Sequence, residues 1–274
     1  MCASYKPSDA TTLAESAYKI DYSRPGVVII FNNIEFTNPK EYPVRNGSEQ
    51  DVLNLCTLFR SLNYSVRPPY IDKTEAEMRE AILKYATDDY TSYGCLIIFI
   101  MSHGKKSKII SSDSACIDIN EFITPLKRNA SLKSKPKVFF IQACRGSTRM
   151  TVNDDATSSS SSVYSRYFDH ENRLPKEADF LFSYSTLEDY VSYRDPDEGS
   201  WYIQMLCKAI REEESKEISA ILRYAHLLVS QLVGTTPKDP EHPGKRNKTV
   251  KVKMVPTYED RLTKLFYIAE PQQV

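Results

Sequence analysis

Two short apolar runs constrain this chain most: Cys95 to Met101 and Val138 to Gln142, each stopping at polar, chemically active residues. The first leads into Ser102-His103-Gly104, the second into Ala143-Cys144-Arg145-Gly146. Runs this short cannot cross a bilayer as helices; they fit strands buried on both faces, the kind found in parallel sheets. Parallel neighbours emerge at the same sheet edge. The two runs therefore deliver an imidazole and a thiol to one place, which a thiol nucleophile and its base require.

The flanking pattern supports such a sheet. Val27 to Phe31 is another apolar run. Ser48 to Leu62 places Val52, Leu55, Leu58, Phe59 and Leu62 at helical spacing. Tyr64 to Val66 predicts a brief strand, and Thr74 with Glu77 a capping box for a helix through Tyr85. Ile109-Ile110 and Ala115 to Ile117 read as a hairpin, and Asp118 with Glu121 caps a short helix to Leu126. Phe180 to Tyr184 reads as a strand. Ser200 is the expected cap of the next helix, and a second amphipathic helix, Ile218 to Leu232, should end at Gly234. Leu265 to Ile268 is the expected final strand. Strands alternating with helices imply an α/β fold with a mostly parallel sheet covered on both faces.

Composition removes several function classes. Lys+Arg and Asp+Glu are each 36 in 274 residues, so nothing draws the chain toward nucleic acid or an anionic membrane. The first residues lack an apolar signal region. Six scattered cysteines form no C-x-x-C pair, which argues against a disulfide framework or zinc site and for a reducing cytosol. No strand is followed by a Gly-rich phosphate turn, which disfavours a nucleotide-binding protein. Residues 1–26 read as a short mobile leader, and residues 147–175, with Ser158 to Ser162 and clustered acids, as an exposed linker. The expected domain parts are 27–146 and 176–274.

A lone cysteine after an apolar run is ordinarily a small buried hydrophobe. Gln142, Arg145 and Gly146 around Cys144 mark an exposed strand exit instead. Of the four histidines, His103, His170, His226 and His242, only His103 is delivered by a buried strand. An imidazole there can protonate a leaving amine and activate water. The amides of Gly104 and Cys144 are candidate donors to a developing oxyanion. Any single arginine is ordinarily a solvated charge, yet rigid guanidinium forks suit a carboxylate pocket, and Arg45 and Arg194 both lie in loops beside helix starts.

Gln142-Ala143-Cys144-Arg145-Gly146, with a histidine 41 residues earlier (144 − 103), resembles the caspase signature. Glu177-Ala178-Asp179-Phe180, Gly199-Ser200-Trp201-Tyr202-Ile203-Gln204 and Lys264-Leu265-Phe266-Tyr267 resemble further caspase segments in the same order, so the likeness runs from Val27 onward. It implies a caspase-like three-layer α/β/α sandwich with about six strands. It implies an Asp-specific cysteine endopeptidase of the apoptotic, short-leader executioner type, needing no cofactor and no metal. Arg45, Gln142 and Arg194 would hold the substrate aspartate, Tyr193 and Trp201 would contact the peptide, and the Pro43 carbonyl would orient His103. The resemblance further implies a homodimer joined through the final strand, made as a zymogen and cut by another caspase. Asp154, Asp155 and Asp169 are the linker candidates for that cut, with Asp155-Ala156 favoured, and Asp9 could release the leader.

Some positions depart from the family pattern. Lys105-Lys106-Ser107-Lys108 stands where a second glycine is usual after Ser-His-Gly. Tyr193 replaces a common tryptophan, Asp189 a common glycine, and Asp195 a frequent asparagine. Asp195 should disfavour substrates acidic at a distal upstream position. These changes motivate a rival expectation, a weakly active or inactive homologue that regulates another caspase by dimerising with it. The intact Cys144, His103, Arg45, Gln142 and Arg194 argue against the rival.

Overall fold

The computed structural model describes residues 16–151, 178–237 and 249–272. In chain order the main elements are β1 (Gly26–Asn32), α1 (Ser48–Ser61), β2 (Ser65–Val66), β3 (Tyr70–Ile71), α2 (Glu75–Thr87), β4 (Cys95–Met101), α3 (Ile119–Leu126), β5 (Lys137–Gln142), β6 (Phe180–Tyr184), α4 (Trp201–Glu212), α5 (Ile218–Gln231) and β7 (Thr257–Asp260).

The seven strands form one sheet in the order β7-β6-β5-β4-β1-β2, with β3 also paired to β1. Every pairing is parallel except β6 with β7. Strand β4 shows why two apolar faces are needed. Cys95, Ile97, Phe99 and Met101 enter a core shared with α1, α4 and α5, whereas Leu96, Ile98 and Ile100 enter a second core with α2 and α3. Alternate side chains thus serve opposite layers, and the result is a three-layer α/β/α sandwich. Each fully buried aliphatic or aromatic side chain contributes about 1.5–3 kcal/mol of transfer free energy.

The capping boxes of α2 and α3 form as expected, with Thr74 and Glu77, and Asp118 and Glu121, exchanging side-chain and backbone bonds. Several expectations need correction. The sheet has seven strands where about six were expected, and the extra member is Tyr70–Ile71, a short strand after Pro68-Pro69. The last strand of the sheet is Thr257–Asp260, not Leu265 to Ile268. That later segment makes only single bridges, Leu265 with Ala17 and Tyr267 with Glu217, and its Phe266 and Ile268 are buried. The antiparallel turn-back onto β6 lets a polar segment, Thr-Tyr-Glu-Asp, serve as an edge strand, where polar side chains are tolerated.

Helix α5 ends at an extended Leu232, and Gly234 begins a strand, Gly234–Pro237, paired with Thr249–Lys253. Ser200 occupies the start of α4, but its hydroxyl and its N–H both bond the Asp51 carboxylate rather than capping the helix. Residues 16–25 are docked, not loose: the Tyr18 hydroxyl donates to Asp179 at 2.6 Å and its N–H to the Leu265 carbonyl at 2.9 Å. Pairing also continues past Gly146, since Gly146–Thr148 joins Asp189–Tyr190 and Met150–Thr151 joins Val252 and Lys253. Among the described residues no helix is long and apolar enough to cross a membrane.

Candidate active site

Strands β4 and β5 are parallel neighbours in register from Leu96 opposite Lys137 to Met101 opposite Gln142. The ladder extends one residue further, because the Ser102 N–H donates to the Gln142 carbonyl at 3.1 Å. His103 and Cys144 therefore leave the same sheet edge. Both line one open cleft of 320 Å³, together with Arg45, Gln142, Ser192, Tyr193 and Arg194.

The imidazole is fixed from behind. Its Nε2 lies 2.7 Å from the Pro43 carbonyl oxygen, which can only accept, so Nε2 carries the proton and Nδ1 keeps its lone pair. The Phe36 and Tyr42 rings lie 4.9 and 5.7 Å from the His103 ring and hold its plane. Burial pushes the His103 pKa down to about 4, and the positive charges of Arg45 and Arg194 add to this against the Pro43 carbonyl. The ring is neutral at neutral pH.

Cys144 is half-buried. Its Sγ accepts the Ser192 N–H at 3.4 Å. Burial raises the thiol pKa, while the Ser192 amide and the two guanidiniums pull the other way. The resting pair is thus a neutral thiol beside a neutral base. A carboxylate seated on the arginines would cancel the field that disfavours imidazolium, so binding of an acidic side chain strengthens the base.

Arg45 is 1 % exposed, a rare state for a cation without a carboxylate bonded to it. One of its nitrogens donates to Asn32 Oδ1 at 3.0 Å and to the Asn33 carbonyl at 2.7 Å; the other, Nη2, is buried without a partner. Burial, and then Arg194, depress its pKa. Arg194 donates through Nε to the Asn46 carbonyl at 2.7 Å. Gln142 donates through Nε2 to Ser192 Oγ at 2.6 Å, and its Oε1 is buried and unpartnered. Rotating that amide by half a turn keeps the Ser192 bond, now donated by the hydroxyl, and turns an N–H donor to the unpartnered position. One buried and one half-buried guanidinium and an amide thus converge beside the thiol with donors unspent.

Gly104 lies against the Cys144 peptide, where an added Cβ would meet the Cys144 carbonyl oxygen at 2.8 Å. Gly146 has a Cβ position 2.3 Å from the Asp189 backbone, so only glycine fits between these segments. Tyr193 lines the cleft and packs 5.3 Å from Trp201, but Trp201 is not itself a cleft wall; it supports Tyr193 from the start of α4.

The departures find local roles. Lys105 pairs with Glu41 at 2.6 Å, two residues before Pro43. Lys106 takes a left-handed turn (φ 50°), as does Asp189 (φ 70°) at the position where a glycine would be usual. Asp195 Oδ1 accepts the N–H groups of Asp197 at 2.9 Å and Glu198 at 3.0 Å, which holds its carboxylate ionised and outside the cleft. Asp9, Asp154, Asp155 and Asp169 lie outside the described residues.

Sequence reasoning missed three supports. Ser192 contacts both the thiol and Gln142. Asn32 and Asn33 hold Arg45 from the end of β1. Buried Asp51 ties α1 to the start of α4 through Ser200 and Gln204, and an added Cβ at Gly199 (φ +101°) would meet it at 2.4 Å. Polar asparagines closing an otherwise apolar strand were the available signal for the second.

A parallel α/β sheet that presents a thiol and a carbonyl-oriented imidazole at one edge, over a cationic floor, is the framework of a cysteine peptidase. A family model described as "Caspase domain" matches residues 25–267. The chain is 31 % identical over 254 residues to caspase-7 of Gallus gallus, covering 91 % of this chain and 79 % of that one. It is 33 % identical over 232 residues to caspase-3 of Mesocricetus auratus, covering 81 % and 76 %. It is 32 % identical over 238 residues to caspase-8 of Mus musculus, covering 81 % of this chain and 49 % of that longer one. The solved structure of caspase-1 from Spodoptera frugiperda superposes with a TM-score of 0.79 at 24 % identity, covering 99 % of both chains, and so shares the fold. The chain belongs to the caspase family and is a cysteine-type endopeptidase.

Proposed function

We propose that this protein cleaves polypeptides after aspartate, with Cys144 as nucleophile and His103 as acid and base. The observation that carries the reading is Arg45: a buried guanidinium with an unpartnered Nη2, in the cleft that holds the thiol. A substrate aspartate supplies its missing counter-charge, bridging Arg45 and Arg194 with help from Gln142. His103 Nδ1 then takes the thiol proton, the thiolate attacks the scissile carbonyl, and the amides of Gly104 and Cys144 meet the oxyanion. The imidazolium gives its proton to the leaving amine, and a water activated by the same ring opens the thioester.

The biological setting follows the family: a cytosolic zymogen acting in apoptosis, cut by another caspase at Asp154, Asp155 or Asp169 and working as a homodimer. In the described residues β7 is one edge of the central sheet and the short β2 and β3 are the other; β7, the longer of these edge strands, is therefore the one proposed, in place of Leu265 to Ile268, to pair with a second copy. The rival reading, a regulator with little turnover, draws on the raised thiol pKa and the contact that Ser192 makes with the sulfur. Mass analysis of self-processing decides between them. The enzyme splits within 147–175 in the wild type and stays whole in Cys144→Ala. A wild type that stays whole, and is silent on aspartyl peptides after forced linker cleavage, refutes the enzyme and favours the regulator.

A further inference from the structure

One buried carboxylate lies behind the substrate pocket and takes no part in the proposed chemistry. Asp51, in the first turn of α1, is 0 % exposed. Its Oδ1 accepts the Ser200 N–H and the Gln204 side-chain amide, both at 2.9 Å, and its Oδ2 accepts the Ser200 hydroxyl. Among the described residues all of these donors are neutral, an uncommon state for a buried acid, since desolvating a charge is costly. Burial pushes the Asp51 carboxyl pKa up, and the Ser200 and Gln204 bonds and then Arg45 pull it down. Its field reaches both pocket arginines. Burial lowers the Arg194 pKa, and Asp51 is the first charge that opposes this; at Arg45, burial and then Arg194 lower it, and Asp51 is again the first to oppose.

The backbone shows what the carboxylate fastens. Arg45 lies just before α1 and is held by the end of β1, whereas Arg194 arrives 149 residues later (194 − 45) on a separate hairpin. In that hairpin Arg194 pairs directly with Ser200, and Asp195 with Gly199. Ser200 is the residue that Asp51 holds, and Gly199 (φ 101°) lies so close that an added Cβ would meet Asp51 Oδ1. The turn of the hairpin rests on Gly47, where a Cβ would meet the Asp195 and Pro196 carbonyl oxygens at 2.5 Å. Gln204 is also bonded by Asn54, further along α1, at 2.8 Å. The hairpin that carries Arg194 is thus fastened to the helix start that follows Arg45. The gap between the two guanidiniums depends on that fastening, and a carboxylate bridging them tolerates little error in it.

We propose that Asp51 is a positioning residue for the substrate aspartate: by holding Ser200 it fixes the Arg194 hairpin against the start of α1 and so sets the spacing of the two guanidiniums. The inference rests on the aspartate-pocket reading given above. The test is steady-state kinetics of the linker-cleaved protein on matched aspartyl, glutamyl and asparaginyl peptides, with active-site titration of Cys144 and a thermal melt. In Asp51→Ala, KM for the aspartyl peptide should rise at least about tenfold, and the aspartyl-to-glutamyl ratio of kcat/KM should fall by a similar factor. Asp51→Asn keeps an acceptor for the Ser200 N–H and the Gln204 amide, so it should recover that ratio to within about threefold of wild type. An Asn variant as impaired as the Ala variant would assign the effect to charge and overturn the proposal. So would a loss confined to Tm and to the titrated fraction of active protein, with KM and the ratio unchanged. Should Asp51→Ala fail to fold, Ser200→Ala decides: it keeps the carboxylate and removes one of its bonds, so the ratio should fall at least about threefold, and an unchanged ratio overturns the proposal. A wild type that does not prefer the aspartyl to the asparaginyl peptide overturns the pocket reading itself, and this inference with it.

Discussion

Replacing Arg45 by methionine tests the aspartate pocket with the least change of volume. The wild-type guanidinium is buried and bonds Asn32 Oδ1 and the Asn33 carbonyl, with Nη2 left for substrate. Removing one member of a buried charge pair costs about 3–5 kcal/mol, so kcat/KM on an aspartyl peptide should fall by about 10²- to 10⁴-fold. The matching asparaginyl peptide never formed that pair and should lose far less. Discrimination between the two peptides therefore collapses. Folding changes less, because two orphaned acceptors at about 1–3 kcal/mol each are offset by relief of an uncompensated buried cation. The assay is steady-state kcat/KM on both peptides, with a thermal melt as the folding check. Equal losses on both peptides, with an unchanged melt, would refute the assignment of Arg45 to the carboxylate.

Acid should destabilise the fold through its half-buried imidazoles. Burial pulls both His103 and His226 down to about 4, below the ordinary value near 6.5. Between these values the unfolded chain binds more protons, so stability is full above about pH 6.5 and falls as pH drops toward 4. Tm measured across that window should decline, and His226→Gln should flatten part of the decline; an unaltered slope would remove His226 from the account. Gly146→Ala sets a Cβ 2.3 Å from the Asp189 backbone, and the resulting strain of about 1–3 kcal/mol should lower Tm and slacken the cleft wall, read as a higher KM. Glu41→Gln removes an exposed partner of Lys105, so kcat/KM should change by less than about threefold; a larger loss would make the pair a positioning device for Pro43. A peptide panel should show weak preference for an acidic residue at the distal upstream position, where a bound chain leaving the cleft past Arg194 would meet the ionised Asp195; strong preference for aspartate there would contradict it.

The parts of the fold legible in the sequence were those fixed by local chemistry. Cys95 to Met101 is apolar at every position because each face of β4 meets a different core, and its limits fall where the apolar run does. The caps at Thr74 and Asp118 depend only on neighbours three residues away. What could not be read depends on distant partners. Thr257–Asp260 has no apolar alternation and becomes a strand only because β6 offers it an edge. Ser200 looks like a helix cap, but buried Asp51, 149 residues earlier, claims its hydroxyl. In the site, Pro43, His103, Arg45, Gln142, Cys144 and Arg194 come together as the motif order implies. Trp201 packs behind Tyr193, its ring 5.3 Å away, and is not among the residues that line this cleft, a position that depends on a tertiary contact. Ser192 was hidden for the opposite reason: serine is common in loops, and only its two contacts distinguish it.

The most direct measurement is the structure of the linker-cleaved protein after reaction with a peptide aldehyde ending in aspartate. The predicted result is a thiohemiacetal on Cys144 Sγ, with His103 Nδ1 beside it and the aspartate carboxylate between Arg45 Nη2 and Arg194. Failure to form the adduct, or an adduct whose carboxylate points away from both guanidiniums, would contradict the account.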